Sequence, residues 1–454
     1  MLQDPVPELL RTATDALAAE FAGLPEFANA CTSESGLAAM ADVLGSVAHR
    51  LGDNYPYFHP LYAGQMLKPP HPVARAAYAL AMTINPNNHA RDGGRASSEM
   101  EIEAVRGIAA MFGWTEYLGH LTSSGTLANL EALWVAGQLA PGKRIVASEQ
   151  AHYTHHRISA VLKLDFAAIA ADACGRMSLE ALQAELRKGD VGTVVVTLGT
   201  TAIGAVDPLD EVLKLREKYG FRVHVDGAYG GYFRLIADSL EVPARQAYLA
   251  TTEADSLVID PHKHGLQPYG CGCVLFKDPA VGRFYKHDSP YTYFTSKQLH
   301  LGEISLECSR AGAAAVALWA TQQLLPLVPG GEFARGLTSG RAAALDLDRR
   351  LRADRRFEAL REGGPELDIV VWKGRAAGAE QASESAQSIF AACATRDLHL
   401  ALVQLPLFWF QPERAPGMEL VTCLRSVLMK PEHAEWLDTI WERLSSASEQ
   451  VFGE

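Results

Sequence analysis

Five short stretches rich in β-branched residues recur through the middle of the chain: RIVAS (Arg144 to Ser148), TVVVTLG (Thr193 to Gly199), RVHVDGA (Arg222 to Ala228), SLVID (Ser256 to Asp260) and CVLFK (Cys273 to Lys277). Most are separated by helix-like segments such as SLEALQAELRKG and LDEVLKLREKYG. Short, continuously apolar strands alternating with helices predict an α/β protein whose mostly parallel sheet is covered on both faces. Right-handed crossovers then gather the strand ends and their loops along one edge, where chemistry is to be sought.

Upstream, leucines and alanines recur at helical spacing from Pro7 to about Ala22 and from about Ser35 to Leu51. GDNYPYFHPLYAGQMLKPPHP follows, and its prolines, glycines and aromatics predict an ordered loop. A helix is expected near Ser97, carrying EMEIEAVRGIAAMF. At PLVPGGEFARG (Pro326 to Gly336) the alternation pauses. LDIVVWK, LVTCLRSVL and several helices then predict a smaller α/β unit, joined to the first by a long helix containing Trp319.

The net charge is −12, from 41 basic and 53 acidic side chains, which argues against nucleic-acid phosphates or an anionic membrane as partner. Seven scattered cysteines read as reduced thiols of a cytoplasmic protein, and the C-x-C of Cys271 and Cys273 lacks a metal site's spacing and second pair. MLQDPVPELLRTATDAL has neither the basic nor the apolar region of a secretory signal. LALVQLPLFWF falls short of the roughly 18 residues that span a bilayer.

Three stretches stand out in one order: TSSGTLANLEAL, HVDGAYGG and DPHKHG. The first is a small-residue turn leading into a helix through Leu127, Leu130 and Leu133. Opening on Ser123, Ser124, Gly125 and Thr126, that helix offers free N–H groups, hydroxyls and a positive dipole end to a phosphate. Taken alone, the stretch reads more readily as a plain N-cap. Asp226 ends the strand RVHVD, where a buried carboxylate needs a cation or a strong donor. A structural ion pair would serve, but leaves unexplained the small residues of GAYGG, which let a planar ligand approach the backbone. Lys263 lies 37 positions further on, between two histidines at a strand end, where an ammonium calls for a partner or a covalent role. An amine, an acid and a phosphate cradle at neighbouring strand ends are what a phosphorylated pyridine aldehyde requires. The amine forms the Schiff base, the acid keeps the ring nitrogen protonated, and the cradle holds the phosphate. His152, His155 and His156 share a helix face by spacing and would suit a metal, but a histidine run alone is a weak signal and no metal is assigned.

Together with SEQAHYTHHR and TLGTTAIGAVDPL, these stretches follow the order and approximate spacing of one family, and from about His59 to Leu325 the chain resembles it. The family is the pyridoxal-phosphate-dependent amino-acid decarboxylases of the group that includes the glutamate, aromatic amino-acid and tyrosine enzymes. The resemblance implies pyridoxal 5'-phosphate as cofactor and a fold-type-I, PLP-dependent transferase-like architecture. That is a large domain with a mostly parallel seven-stranded sheet, helices on both faces, and a smaller C-terminal α/β domain. It implies a homodimer with active sites at the subunit interface. The corresponding division is 1–95, a helical segment with substrate-lining loops; 96–330, the large cofactor-binding domain; and 331–454, the small domain. By the same resemblance Lys263 is the Schiff-base lysine, Asp226 the partner of the pyridine nitrogen and His152 the ring-stacking histidine. Thr201 lies beside the ring, Ala228 against its face, and Ser124, Gly125, Thr126 and His262 contact the phosphate.

The implied reaction converts an L-amino acid to its amine and carbon dioxide, with a loop tyrosine returning the proton. FYKHDSPYTYFTSK offers Tyr291 and Tyr293 without choosing between them, with packing as the alternative role for both. HPLYAGQM and TINPNNHARDGGRAS fall where relatives line the substrate pocket, making His59, Gln65 and Asn88 candidate contacts. Gln65, Lys68, Arg91 and Arg95 would suit a side-chain carboxylate, and Tyr57, Phe58 and Tyr62 an aromatic ring. Arg425 in LRSVLM resembles a C-terminal arginine near substrate in some relatives. His264, where an aromatic often follows the lysine, and GEISLECSRAG around Arg310 depart from the commoner pattern. They leave open a carbon–carbon lyase or an aldehyde-forming decarboxylase on the same cofactor. A cofactor-less scaffold or metal-binding protein of the same fold would instead purify colourless.

Overall fold

The apolar runs form strands in a computed structural model that describes residues 4–25, 33–89, 92–286, 304–376, 378–411 and 419–453. The larger sheet holds β1 (Leu118–Thr122), β2 (Arg144–Ser148), β3 (Phe166–Ile169), β4 (Val191–Thr197), β5 (Arg222–Asp226), β6 (Ser256–Ile259) and β7 (Gly272–Phe276). Their order is β1-β7-β6-β5-β4-β2-β3, the mostly parallel seven-stranded sheet that was expected. β6, β5, β4, β2 and β3 pair in parallel, whereas β7 runs antiparallel to β1 and β6. The connection from β6 to β7 carries no crossover helix, and without one the chain turns back antiparallel. Lys263 sits on this return.

Ahead of the sheet come α1 (Val6–Glu20), α2 (Glu34–Leu51), α3 (Pro72–Ile84) and α4 (Arg95–Met111). Among its strands run α5 (Gly125–Leu139), α6 (Thr154–Leu162), α7 (Leu179–Leu186), α8 (Leu209–Tyr219) and α9 (Val242–Leu249), and α10 (Gly282–Tyr285) follows β7. Successive residues of a strand enter different cores, because side chains alternate across the sheet. Val258 and Val274 meet Ala128, Ala132 and Val135 of α5 on one face. Leu257 and Leu275 share the opposite core with Phe112 and Tyr232. Covered twice, the strands have to be apolar throughout, which is how they read.

After α11 (Gly312–Leu324), α12 (Glu332–Ala353) leads into a second sheet of β8 (Phe357–Ala359), β9 (Ile369–Gly374), β10 (Ala401–Pro406) and β11 (Leu420–Val427). Its order is β10-β11-β9-β8, antiparallel throughout, and α12, α13 (Ala379–Ala394) and α14 (His433–Phe452) pack with it. The long joining helix expected around Trp319 is instead two helices. α11 has 13 residues and packs on α3 and α4, while the 22-residue α12 carries the chain onward. Pro326, Pro329, Gly330 and Gly331 separate them, since proline and glycine stop a helix. Leu61 and Ala63 of the N-terminal loop join the second core, where the Val427 N–H donates to Ala63 O at 2.7 Å. No described helix is long and apolar enough to cross a membrane.

Trp372 of β9 is fully buried at the centre of that second core. Trp372→Ala is expected to lower stability by about 3–5 kcal/mol, read as a fall in the denaturation midpoint; an unchanged midpoint contradicts the packing described.

Candidate active site

The ends of β4 and β5, the β6–β7 return and the start of α5 enclose a cavity of about 190 Å³. Ser124, Gly125, Thr126, His152, Thr201, Asp226, Ala228, His262 and Lys263, all expected around a cofactor, line it together. Asn129, Thr197, Tyr229 and Asp260 line it as well.

Ser124 is the N-cap of α5, its Oγ accepting the Leu127 N–H at 3.2 Å. Gly125 follows because the β6–β7 return passes close: a Cβ here would lie 2.4 Å from Asp260 Oδ1. The Ser123 N–H already donates to a carboxylate, Glu307 Oε2, at 2.8 Å. An anion therefore suits this helix end.

Asp226 terminates β5 at 4% exposure. His155 Nε2 lies 2.7 Å from its Oδ2, and as a carboxylate only accepts, the imidazole donates. The Ala228 N–H donates to Oδ1 at 3.0 Å. Asn129 Nδ2 is 3.5 Å from Oδ2, with its amide turned that way by His224, whose Nε2 lies 2.8 Å from Asn129 Oδ1. Ser256 Oγ, 2.9 Å from His224 Nδ1, completes the chain. Burial pushes the His224 pKa down to about 3, so its ring is neutral and one nitrogen donates while the other accepts. Burial alone pushes the Asp226 carboxyl up, but the His155 hydrogen bond and charge, the Ala228 N–H and Lys263 outweigh it and hold the group well below the usual carboxylate range.

Lys263 Nζ lies 3.0 Å from Asp260 Oδ2. Burial lowers its pKa, yet Asp260 and Asp226 outweigh that and hold the ammonium above its ordinary value. His262 is anchored by its Nδ1, 2.7 Å from Cys271 O, and burial pushes its pKa down. His152 Nδ1 accepts from the Thr154 N–H at 3.3 Å and lies 2.6 Å from Thr154 Oγ1. Burial lowers the His152 pKa too, which makes a neutral ring with its hydrogen on Nε2.

Behind the cavity, buried Asp368 accepts from Tyr229 Oη at 2.5 Å and from His264 Nε2 at 2.8 Å, while His264 Nδ1 lies 2.9 Å from Tyr229 O. The histidine in place of the usual aromatic thus ties the lysine turn to the residue preceding β9.

The substrate-side residues are scattered. Gln65 Oε1 and Arg425 Nη1 come within 3.4 Å although 360 positions apart, and the Nε and Nη2 of buried Arg425 have no hydrogen-bond partner among the described residues. His59 packs its ring on Trp436 at 4.8 Å and lies off the cavity wall. Asn88 is buried in a network, donating to Glu101 Oε2 at 2.6 Å and accepting from Ser97 Oγ at 2.5 Å. Arg95 is exposed at the start of α4, and Lys68 lines a different cleft. Arg91, Tyr291 and Tyr293 lie outside the described residues. Asn129, Tyr229 and Asp260 lie within the three stretches singled out in the sequence but carry no role there, and Asp368 lies outside them; the spacing of His155 from His152 points to a metal rather than to Asp226.

The pyridoxal-dependent decarboxylase conserved domain matches residues 55–373. An L-tyrosine decarboxylase of Enterococcus faecium is 29% identical over 388 residues, covering 63% of this chain and 64% of that enzyme. An L-2,4-diaminobutyrate decarboxylase of Rhizobium meliloti is 36% identical over 229 residues, 46% of this chain and 44% of its own. The chain thus spans less than two thirds of the length of these curated relatives. Among solved structures, that of Oryza sativa TDC with PLP and tryptamine aligns at TM-score 0.78 and 19% identity, covering 99% of both chains, which shows a shared fold.

His155→Phe removes a donor from a buried anion, for an expected loss of about 1–3 kcal/mol at neutral pH. Because the Asp226 pKa is depressed on folding, its contribution exists above the unfolded value and fades as pH falls through the folded one. Wild type and variant should therefore begin to converge in denaturation midpoint only below about pH 4, and go on converging as the pH falls further. A gap that widens on acidification contradicts the assignment.

Proposed function

This chain belongs to the pyridoxal-dependent decarboxylase family, and on that premise we propose that it removes the carboxylate of an L-amino acid as carbon dioxide and leaves the amine. The observation that carries this is the meeting of an amine, a buried carboxylate and an open helix N-terminus on one cavity. The same cavity fits pyridoxal 5'-phosphate. Asp260 Oδ1 and Thr197 Oγ1 stand buried on its wall without a hydrogen-bond partner among the described residues, α5 supplies anion donors, and Asp226 supplies an anionic oxygen.

Bound there, the cofactor supplies an electrophilic aldehyde and a protonated ring that accepts the electron pair left when carbon dioxide departs. Lys263 would join the cofactor's aldehyde as a free amine; Asp260 Oδ2, 3.0 Å from Nζ, holds and orients its ammonium. Asp226 stays ionised, so it would hold a proton on the ring nitrogen. His152, neutral and fixed by Thr154, offers a flat face that restricts the ring's orientation. Ser124, Gly125, Thr126 and His262 would hold the phosphate, and Thr201 and Ala228 would flank the ring. The unpaired nitrogens of Arg425 are the donors for a substrate carboxylate, with Gln65 beside them. Proton return by Tyr291 or Tyr293 remains part of the proposal.

A homodimer is proposed from α2. Leu37, Met40, Val43, Leu44, Val47 and Leu51 form one helical stripe, each between 44% and 66% exposed, an apolar face that a second copy would cover. The six described cysteines are free, which supports a reducing cytoplasm. Domain limits near residues 95 and 330 belong to the same proposal.

The test is incubation of the yellow holoenzyme with each L-amino acid, measuring carbon dioxide, amine and aldehyde; absence of carbon dioxide and amine with every one rejects the reading. Lys263→Ala is expected to abolish turnover and to leave no cofactor covalently trapped by borohydride. Asp226→Ala should slow turnover by several powers of ten, about 1.4 kcal/mol each; a wild-type rate removes its role. Leu44→Glu with Val47→Glu should shift the light-scattering mass from dimer to monomer, and an unchanged dimer places the interface elsewhere.

A further inference from the structure

Apart from the candidate active site, a cleft of about 480 Å³ opens where three helices begin. Its wall includes His71 and Pro72 at the start of α3, Glu332 and Phe333 at the start of α12, and Pro431 and Glu432 at the entry to α14. Helices of 13, 22 and 20 residues thus turn the positive ends of their dipoles toward one space. Lys430, 2% exposed, and half-buried Lys68 line the same cleft. Each ammonium has three donors and makes one hydrogen bond: Lys430 Nζ to Tyr62 O at 2.6 Å and Lys68 Nζ to Met429 O at 3.3 Å. Among the described residues neither forms an ion pair. The acids on the wall, Glu332 and Glu432, are exposed at its rim with Arg335.

Two neighbouring cations beneath three dipole ends repel each other, and among the described residues they are met without direct ion pairs, by the Tyr62 ring 5.3 Å from Lys430 Nζ and by the charges of Asp368 and exposed Glu432. Leu266 on the same wall holds a φ of 63°, a strained conformation for a bulky residue, with its carbonyl accepting the His71 N–H at 2.9 Å. We propose that this cleft binds a small organic anion, its carboxylate or phosphate held by Lys68 and Lys430 and its apolar body against Leu266, Leu325, Phe333 and Leu337.

Burial lowers the Lys68 pKa to about 8 and, with the Lys68 charge adding, that of Lys430 to about 7. Asp368 and Glu432 oppose this at Lys68, and Glu432 does so at Lys430, whose charge also reaches His433. Anion binding should therefore take up protons and tighten between about pH 9 and about pH 6.

The test is calorimetric titration of the holoenzyme with phenylacetate, phenyl phosphate and 2-phenylethylamine. At least one of the two anions is expected to bind once per chain, and to bind about tenfold or more weaker to Lys430→Met and several-fold weaker to the exposed Arg335→Glu, while the amine's response is the same in all three proteins. The tighter anion identifies a carboxylate or a phosphate as the natural group. Circular dichroism establishes that each variant is folded, and Arg335→Glu carries the test if Lys430→Met is not. Failure of both anions to bind, affinities unchanged in the folded variants, or binding that weakens on acidification overturns the proposal.

Discussion

The hydrogen bond from His155 to Asp226 answers the most expensive demand of the fold, an ionised carboxylate at 4% exposure between two covering layers. Such a group costs several kcal/mol unless donors surround it. Here they come from separate elements: the imidazole from α6, the Ala228 N–H from the turn after β5, the Asn129 amide from α5, and the Lys263 charge from the β6–β7 return. All four must stand in register for the anion to be tolerated. The cost of the carboxylate and the rigidity of the cavity are thus one fact.

How far this was legible follows from where each partner lies. Lys263, Asp226 and the start of α5 stood out because polar groups at the ends of apolar strands are anomalous in the sequence itself. β1 and β3 did not stand out: LGHLT carries a glycine and a histidine, and FAAI is rich in alanine, a helix former. They are the sheet's edge strands, formed by their pairing with β7 and β2 rather than by propensity. His155 stands at a suggestive spacing from His152, but its partner lies 71 positions away and no local pattern encodes that distance. The glycines of GAYGG read as room for a ligand. At Gly230 the constraint is another one, because a Cβ there would sit 2.2 Å from Leu198 O, backbone against backbone. Asn88 falls beside Arg91 and Arg95 in a stretch read as lining the substrate pocket, yet folding spends its amide on Ser97 and Glu101.

The two sheets meet through buried acids just ahead of β9. Glu366 accepts the Val206 N–H at 2.6 Å and pairs with Arg176, while Asp368 takes Tyr229 and His264. Buried pairs of this kind add little to net stability relative to apolar packing. Their effect is directional: each fixes one orientation of the second sheet against the first, since any other leaves a buried charge unmet.

His264 follows Lys263 by one peptide bond, and its imidazole is moored to Asp368 on the far side of the junction. The turn bearing the amine is therefore a short lever whose other end is gripped by the C-terminal part of the chain. A hinge movement between the sheets cannot leave that amine where it was. Its reach into the cavity is geared to the angle at which the two halves of the molecule stand.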